Sequence, residues 1–432
     1  MAKASRSSAY LVFLVLEGVR GLGLGLIVVA PIYRIEVAHF GPLELVLAGT
    51  ALEVTYFASE IPTGIIADAY SRRLSCILGG FVMGAGWLLE GAIPNLWTIM
   101  AAQAVLGVGW TLFSGAAVAW IAGEIGESAA GRAVVRAQQW HLGAAVVGGF
   151  VGAGLGAVQL NLPILVAGAS HVALGLFLIV AMKERDFRPL TGETHAAAMK
   201  AIFTGGVRTI RRSTVLLTIL GAVFFAGMAS EGLDRLWEAH LWTGLHLPTL
   251  GGFSRLYWFA IIGGVATALS VPALSFARRY VERESDLALA ATTITTTALI
   301  AAGCAAFGLA PWLGVAVASY WVVRIARNVA DPAYTVWALR HTEPQLRATV
   351  LSMSEQSHSI GEIFSGPPVG FVGRLISIPA ALVASGIMQA VALPLLGAAA
   401  ARARRDAPVA PVSVKDTALP DRPGAEPLAP DI

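Results

Sequence analysis

Ionisable residues with spacings suited to proton exchange are scattered through an otherwise apolar chain. Glu17 and Arg20 lie three positions apart, so on a helix they share a face and can pair. Glu53 stands near the middle of an apolar run. Further on, Glu231, Asp234, Arg235 and Glu238 follow one helical face, as do Arg324, Arg327 and Asp331, and His358 and Glu362 are one turn apart. An ionised side chain at the centre of a membrane helix costs at least ~2.5–3.5 kcal/mol on insertion scales, so each one retained there is a candidate for function. Desolvation and a nearby cation push a carboxyl pKa in opposite directions, and a group held between the two can load and release a proton. Glu17, Arg20, Glu53, Glu231, Asp234, Arg324 and Glu362 are therefore the proton-coupling candidates. Arg327 with Asp331, and Arg235 with Glu231 or Glu238, also read as structural pairs. Glu60, Glu90 and Glu124 fall near helix ends and read as interfacial.

The elements that must position these groups are membrane helices. The chain has 432 residues, 56% hydrophobic and 13% charged, with a mean hydropathy of +0.70, far more apolar than an ordinary soluble domain. With roughly 20 apolar residues per span, spans read at 9–33, 43–66, 74–93, 95–124, 133–157 and 162–182, then at 214–241, 255–277, 286–308, 311–336, 349–373 and 377–401. If the chain zigzags through all twelve, the basic residues segregate. Lys3 and Arg6, Arg72 and Arg73, Arg132 and Arg136, Lys183 to Arg212, Arg278 to Arg283, Arg340 and Arg347, and Arg402 to Arg405 fall on one side, and only Arg34, Arg255 and Arg374 on the other. By the positive-inside rule both termini are cytoplasmic, which places a multi-pass protein in the cell (inner) membrane. The basic balance, with a pI near 9.0, then reflects inside-facing loops that meet anionic lipid rather than nucleic acid.

The stretch GIIADAYSRRLSC, from Gly64 to Cys76, interrupts the apolar pattern with one acid and two adjacent arginines. It resembles the loop between the second and third helices of the major facilitator superfamily of transporters, whose signature is a Gly, an Asp four positions on and a basic pair. Gly64, Asp68, Arg72 and Arg73 occupy those positions and constitute a candidate conformational latch. A glycine near a span end lets a neighbouring helix approach, Asp68 can accept from exposed helix-terminal amides, and the arginines sit among interfacial phosphates. Ala69 and Ser71 depart from the signature, so the latch is expected to rest on Asp68 with Arg72 or Arg73. In the fourth span Gln103 precedes Gly107 where many proton-coupled members carry an Arg, which implies different coupling or a substitute charge. Gly361, Gly366, Pro367, Pro368 and Gly370 resemble the Gly-Pro pattern of drug/proton antiporters, although there it belongs to the fifth span. In this chain the fifth span has Gly143, Gly148, Gly149, Gly152, Gly154 and Gly156 without proline, which suits a close or sliding interface.

The resemblance implies an all-α membrane fold of twelve helices in two six-helix halves related by a pseudo-twofold axis. Residues 1–182 would form the N-terminal half, 183–213 a cytoplasmic linker with an amphipathic helix at Ala196 to Arg212, 214–402 the C-terminal half and 403–432 a disordered tail. Arg72-Arg73 with Arg278-Arg279, and Arg132-Ala133 with Arg347-Ala348, recur at offsets of a little over two hundred residues, consistent with a duplicated unit. Lys3 and Arg6 before YLVFLVL mimic a secretory signal, but Glu17 and Arg20 break that run and no convincing cleavage site follows. Cys76 and Cys304 lie far apart, each in or beside an apolar span, and indicate neither a disulfide framework nor a metal site. The charges concentrate on helices one, seven and ten, which in such a fold would line the cavity together with the fourth. Gln103, Trp110, Tyr320, Trp321, Gln356 and His358 are its candidate substrate contacts, the aromatics offering flat walls to a lipophilic or cationic guest.

No lysine follows a glycine, so a Walker loop is absent, and neither HExxH nor GxSxG occurs. The expectation is therefore a secondary transporter rather than an enzyme, with a small-molecule substrate, protons and the lipid bilayer as partners and no nucleotide, nucleic acid, metal or cofactor. Its first reading is proton-coupled efflux of drugs or other lipophilic molecules, and its runner-up a symporter or facilitator importing a small polar metabolite. A non-transporting sensor or scaffold is the alternative of another class.

Overall fold

A computed structural model describes residues 2–185, 207–208, 210–211, 213–249, 251–281 and 285–406. Helices α1 (Ala2–Leu26), α2 (Ala30–Glu36), α3 (Pro42–Ala69), α4 (Arg72–Ala92), α5 (Leu96–Phe113), α6 (Ala116–Ile125), α7 (Glu127–Val158) and α8 (Leu162–Ala181) make the first half. The second half holds α9 (Thr214–Ala239), α10 (Tyr257–Val281), α11 (Asp286–Gly308), α12 (Leu313–Arg340), α13 (Arg347–Leu375) and α14 (Ile378–Asp406). The expected amphipathic helix at 196–212 and most of the tail lie outside the described residues. Where the tail was expected to begin, α14 continues to Asp406.

Local chemistry sets the helix boundaries. Ser71, Asn95, Ser213 and Ser285 each accept a hydrogen bond from the amide three residues on, at the starts of α4, α5, α9 and α11. Glu44 reaches back to the Gly41 amide, and Pro42 occupies the first turn of α3, where no donor is needed. Two expected spans are broken. A 3₁₀ turn at Ile27–Val29 separates α1 from α2, and Ser114-Gly115 separates α5 from α6, with Gly115 at a φ of 66° that disfavours any side chain.

Nine helical stretches among the described residues are long and apolar enough to cross a membrane. Three more, α3, α12 and α13, have the length but fall outside that set. They carry Glu44, Glu53 and Glu60, Arg324, Arg327 and Asp331, and Glu355 and Glu362 respectively, charges that lower their hydropathy.

The long helices alternate in direction. What is called the near end here holds the turn between α3 and α4, and the far end holds Glu36 and the start of α8. Within the halves, α1 packs on α7 and α9 on α13 through glycines. A Cβ at Gly21 would strike the carbonyl oxygen of His141, and one at Gly227 that of His358. His141 and His358 thus stand at the same crossing in the two halves, which repeats in space what the arginine offsets indicate in sequence. Between the halves, α3 packs on α13 and α7 on α10. These contacts gather at the far end: Gly366 faces Thr50, Gly370 faces Leu43, Gly373 faces Pro42, and Gly154 meets the Tyr257 hydroxyl. Glu36 accepts from the Trp242 indole at 2.5 Å, and Arg255 stacks on that ring, 4.5 Å from its centroid. Cys76 and Cys304 are fully buried free thiols, in α4 and α11.

Candidate functional site

A cavity of about 710 Å³ lies between the halves. On its lining, Glu53, Asp234, Glu238, Glu355 and Glu362 outnumber Arg34, Arg235 and Arg324. The glycine contacts between the halves lie at the far end, and at the near end a Cβ on Gly64 would meet nothing within 4 Å.

At mid-depth, α3, α9 and α13 bring Glu53, Glu231 and Glu362 together, their oxygens within 4.8 Å of one another. Arg235 is the cation among them. Its NH2 donates to Glu53 Oε1 at 2.8 Å across the two halves and to Glu231 Oε1 at 3.3 Å within α9. Glu362 accepts from Ser230 at 3.1 Å and lies 3.5 Å from the Nδ1 of His358. One guanidinium against three carboxylates leaves excess negative charge, which a bound proton or another cation would offset. Glu53, at 14% side-chain exposure, and Glu231, at 1%, are largely withdrawn from water.

Other expected pairings change partner. Arg327 joins Asp234 on α9, 2.7 Å away, rather than Asp331 on its own helix, because α9 and α12 face each other across the second half. Glu90, read as interfacial, is fully buried. Arg34 donates to it through Nε at 2.9 Å with NH2 at 2.8 Å, and Gln103 donates at 2.6 Å. Glu90 sits near the end of its helix, but α2 folds over that end and removes it from water. Gln103 therefore serves a buried charge, and Arg34 is the nearest cation that could stand in for the arginine missing from the fourth span. Glu60 accepts from Gln356 between α3 and α13, so Gln356 ties the halves together instead of lining the cavity. Glu124, as its place near a helix end implied, accepts from the Arg185 amide.

In the first half, Glu17 accepts from Arg20 at 2.7 Å and from His141 Nδ1 at 3.2 Å. Arg20 also lies over the Trp110 and Phe113 rings, 5.9 and 5.1 Å from their centroids. Trp110, Tyr320, Arg324 and His358 line the central cavity. Trp321 does not: its indole donates to the Ile262 carbonyl and anchors α12 to α10. Sequence reasoning passed over His141, which has no charged neighbour on its own helix, and over Trp237, which stacks on Tyr320 at 4.5 Å. For Trp237 the available signal was its place beside Glu238 on the charged face of α9.

The latch region contains the expected Asp68–Arg72 pair and a further acid. Asp68 is half-exposed and 3.9 Å from Arg72. Glu184, beyond α8, caps α4 instead, accepting from the Ser71 hydroxyl at 2.5 Å, the Arg72 amide at 2.9 Å and the Arg73 amide at 3.3 Å. The side chain of Arg72 donates to the Ala119 carbonyl, and that of Arg73 to those of Met182 and Ile179. Negative charge at a helix N-terminus is favourable, and Glu184 supplies it by accepting from the first amides of α4.

The sequence matches the Major Facilitator Superfamily over residues 13–366. It is 21% identical over 374 residues to an uncharacterized MFS-type transporter of Bacillus subtilis (strain 168), YxaM, covering 86% of this chain and 91% of that one. In fold it is similar to a bacterial homologue of the human lysosomal transporter Spinster in an inward-facing, unoccupied conformation, with a TM-score of 0.75, 14% identity and coverage of 93% and 98%. It is also similar to the nucleoside transporter NupG, with a TM-score of 0.72, 11% identity and coverage of 91% and 98%. An all-helical bundle of apolar helices around a charged central cavity is the architecture of a multi-pass membrane transporter, not of an enzyme. This chain belongs to the major facilitator superfamily.

Proposed function

We propose that the protein is a proton-coupled secondary transporter of twelve spans, with both termini cytoplasmic in the cell membrane, that exports lipophilic small molecules by alternating access. The observation that carries this reading is the Glu53–Arg235–Glu231–Glu362 cluster, which joins both halves inside the cavity. At mid-depth Glu53 pairs with Arg235 across the two halves at 2.8 Å. A proton on Glu53 removes the negative partner of Arg235, which then pairs with Glu231 alone, so loading a proton weakens the tie between the halves. Protonation and closure at the far end are thereby linked through one bond. One proton moving down ~100 mV supplies roughly 2.3 kcal/mol, sufficient for on the order of fiftyfold accumulation of a neutral solute at about 1.4 kcal/mol per tenfold.

Glu17 with His141 and Arg20 forms a second candidate in the first half. In inverted vesicles, dye transport driven by a pH gradient is expected to be lost in Glu53→Gln and Glu362→Gln, and Glu17→Gln tests the second candidate. Unchanged transport in a variant removes that residue from coupling. Repeating the assay with a sodium gradient at constant pH separates a proton from a metal cation bound among the three carboxylates.

The polar groups on the lining, among them Gln103 and Ser359, favour as a second reading the import of a small polar metabolite. Collapse of the proton gradient discriminates, because cells should accumulate more substrate if the protein exports and less if it imports by symport. Failure of any substrate to stabilise the purified protein, together with wild-type behaviour of every cavity-charge variant, would instead favour a non-transporting sensor.

A further inference from the structure

The acid excess on the cavity lining has a specific location. Asp234 is engaged by Arg327, and Glu53, Glu231 and Glu362 share Arg235. Glu238, one turn beyond Asp234 on α9, is different. It is 7% exposed and lines the cavity, yet its Oε2 has no hydrogen-bond partner. Asp234, Arg34 and Arg235 are among the charged groups near it, both of these arginines are committed to other carboxylates, and Arg324 shares the cavity lining.

A carboxylate so withdrawn from water, without a partner, is costly unless a proton or another cation arrives to pair with it. Its surroundings are aromatic. Trp237 stacks on Tyr320 at 4.5 Å and meets Phe259 edge-on at 5.6 Å, and all three rings line the same cavity. Aromatic faces beside a carboxylate with no cation of its own form a receptor for a positively charged organic group, through ring quadrupoles and direct charge pairing.

We propose that the substrate is an organic cation, an amine or quaternary onium carried on an apolar body, and that Glu238 receives its charge at the far end of the cavity against Trp237 and Tyr320. The assignment rests on the transporter reading above but gives Glu238 a task separate from the proton cluster. Substrate charge and proton charge then have different receptors on the same helix, one turn or more apart. Occupation of Glu238 would draw the cation to the closed end, where it must be released when the halves rock.

The test is direct binding to the purified full-length protein at fixed pH 8, by calorimetry, with tetraphenylphosphonium as a non-titrating cation and triphenylphosphine oxide as a neutral comparator. Wild-type protein is expected to bind the cation and to prefer it over the neutral compound by at least about tenfold. E238Q is expected to lose at least about tenfold in affinity for the cation and to leave binding of the neutral compound unchanged. E238D keeps the charge on a shorter arm and should retain most of the affinity. Equal binding of the two compounds, no binding of the cation by wild-type protein, or unaltered binding in E238Q overturns the proposal. So does equal loss in E238D and E238Q together with a lowered unfolding temperature, which would mark Glu238 as structural. Absence of cation preference in the wild-type protein, with its proton-driven transport intact, would reject the assignment of Glu238 and leave the transporter reading standing.

Discussion

Removing Arg34 should be the most damaging single change in the first half, because it would strand the fully buried carboxylate of Glu90 with only Gln103 as partner. Breaking one side of a buried pair typically costs about 3–5 kcal/mol. Arg34→Met is therefore expected to lower the unfolding temperature in detergent strongly, and the double variant with Glu90→Gln to recover part of the loss. At the near end the contrast is between Glu184 and Asp68. Glu184→Gln removes the charge that caps α4 and should cost about 0.5–2 kcal/mol, as other cap deletions do. Asp68→Asn touches a half-exposed group and should leave the unfolding temperature unchanged while slowing turnover more than it weakens substrate binding. Comparison of thermal unfolding with transport rate in both variants decides which acid holds the resting structure and which acts during the cycle. The sequence made the importance of Gly64–Arg73 visible but not the partner, because Glu184 is more than a hundred positions away. Glu90 was misread for a related reason: position near a helix end indicates water only when nothing folds over that end.

Glycine placement governs how the helices meet. Gly21 and Gly227 lie against backbone carbonyls, which cannot rotate aside as a side chain tip can. Gly21→Val and Gly227→Val are each expected to cost at least about 1–3 kcal/mol through overpacking, read as lowered unfolding temperatures of similar size in the two halves. Gly143→Ala, in the glycine-rich α7 but facing open space, should be near neutral. Much of this level was legible from sequence. The glycine-rich fifth span and the Gly-Pro eleventh are where the halves touch, and the charged faces of α9 and α12 follow the period that one helix imposes. Partner choice across helices was not legible. Arg235 reaches Glu53, 182 positions away, and Arg327 prefers Asp234 to the local Asp331, because tertiary packing rather than helical spacing sets the shorter distance.

For the molecule as a whole, far-end closure depends on small residues fitting between the halves, with Gly366 against Thr50 among the tightest fits. Gly366→Val should disfavour this closed arrangement and shift the population towards a form open at the far end. A reporter cysteine in place of Val146, on the cavity lining, would reveal the shift. Labelling by a membrane-impermeant maleimide applied from the far side should be faster in the Gly366→Val background than in its parent, and equal rates would show that the contact does not control access.

That experiment profits from the two native cysteines. Cys76 and Cys304 are enclosed by their own helix bundles on opposite halves, so the folded protein offers external reagents no reactive sulfur of its own. A single engineered thiol would report without background, and fluorophore or spin-label pairs could be placed across the halves without first stripping the protein of residues that fill its interior. The same enclosure should make activity indifferent to oxidants and thiol-seeking metals in the medium, a robustness suited to a protein whose cavity must open repeatedly to whatever it carries.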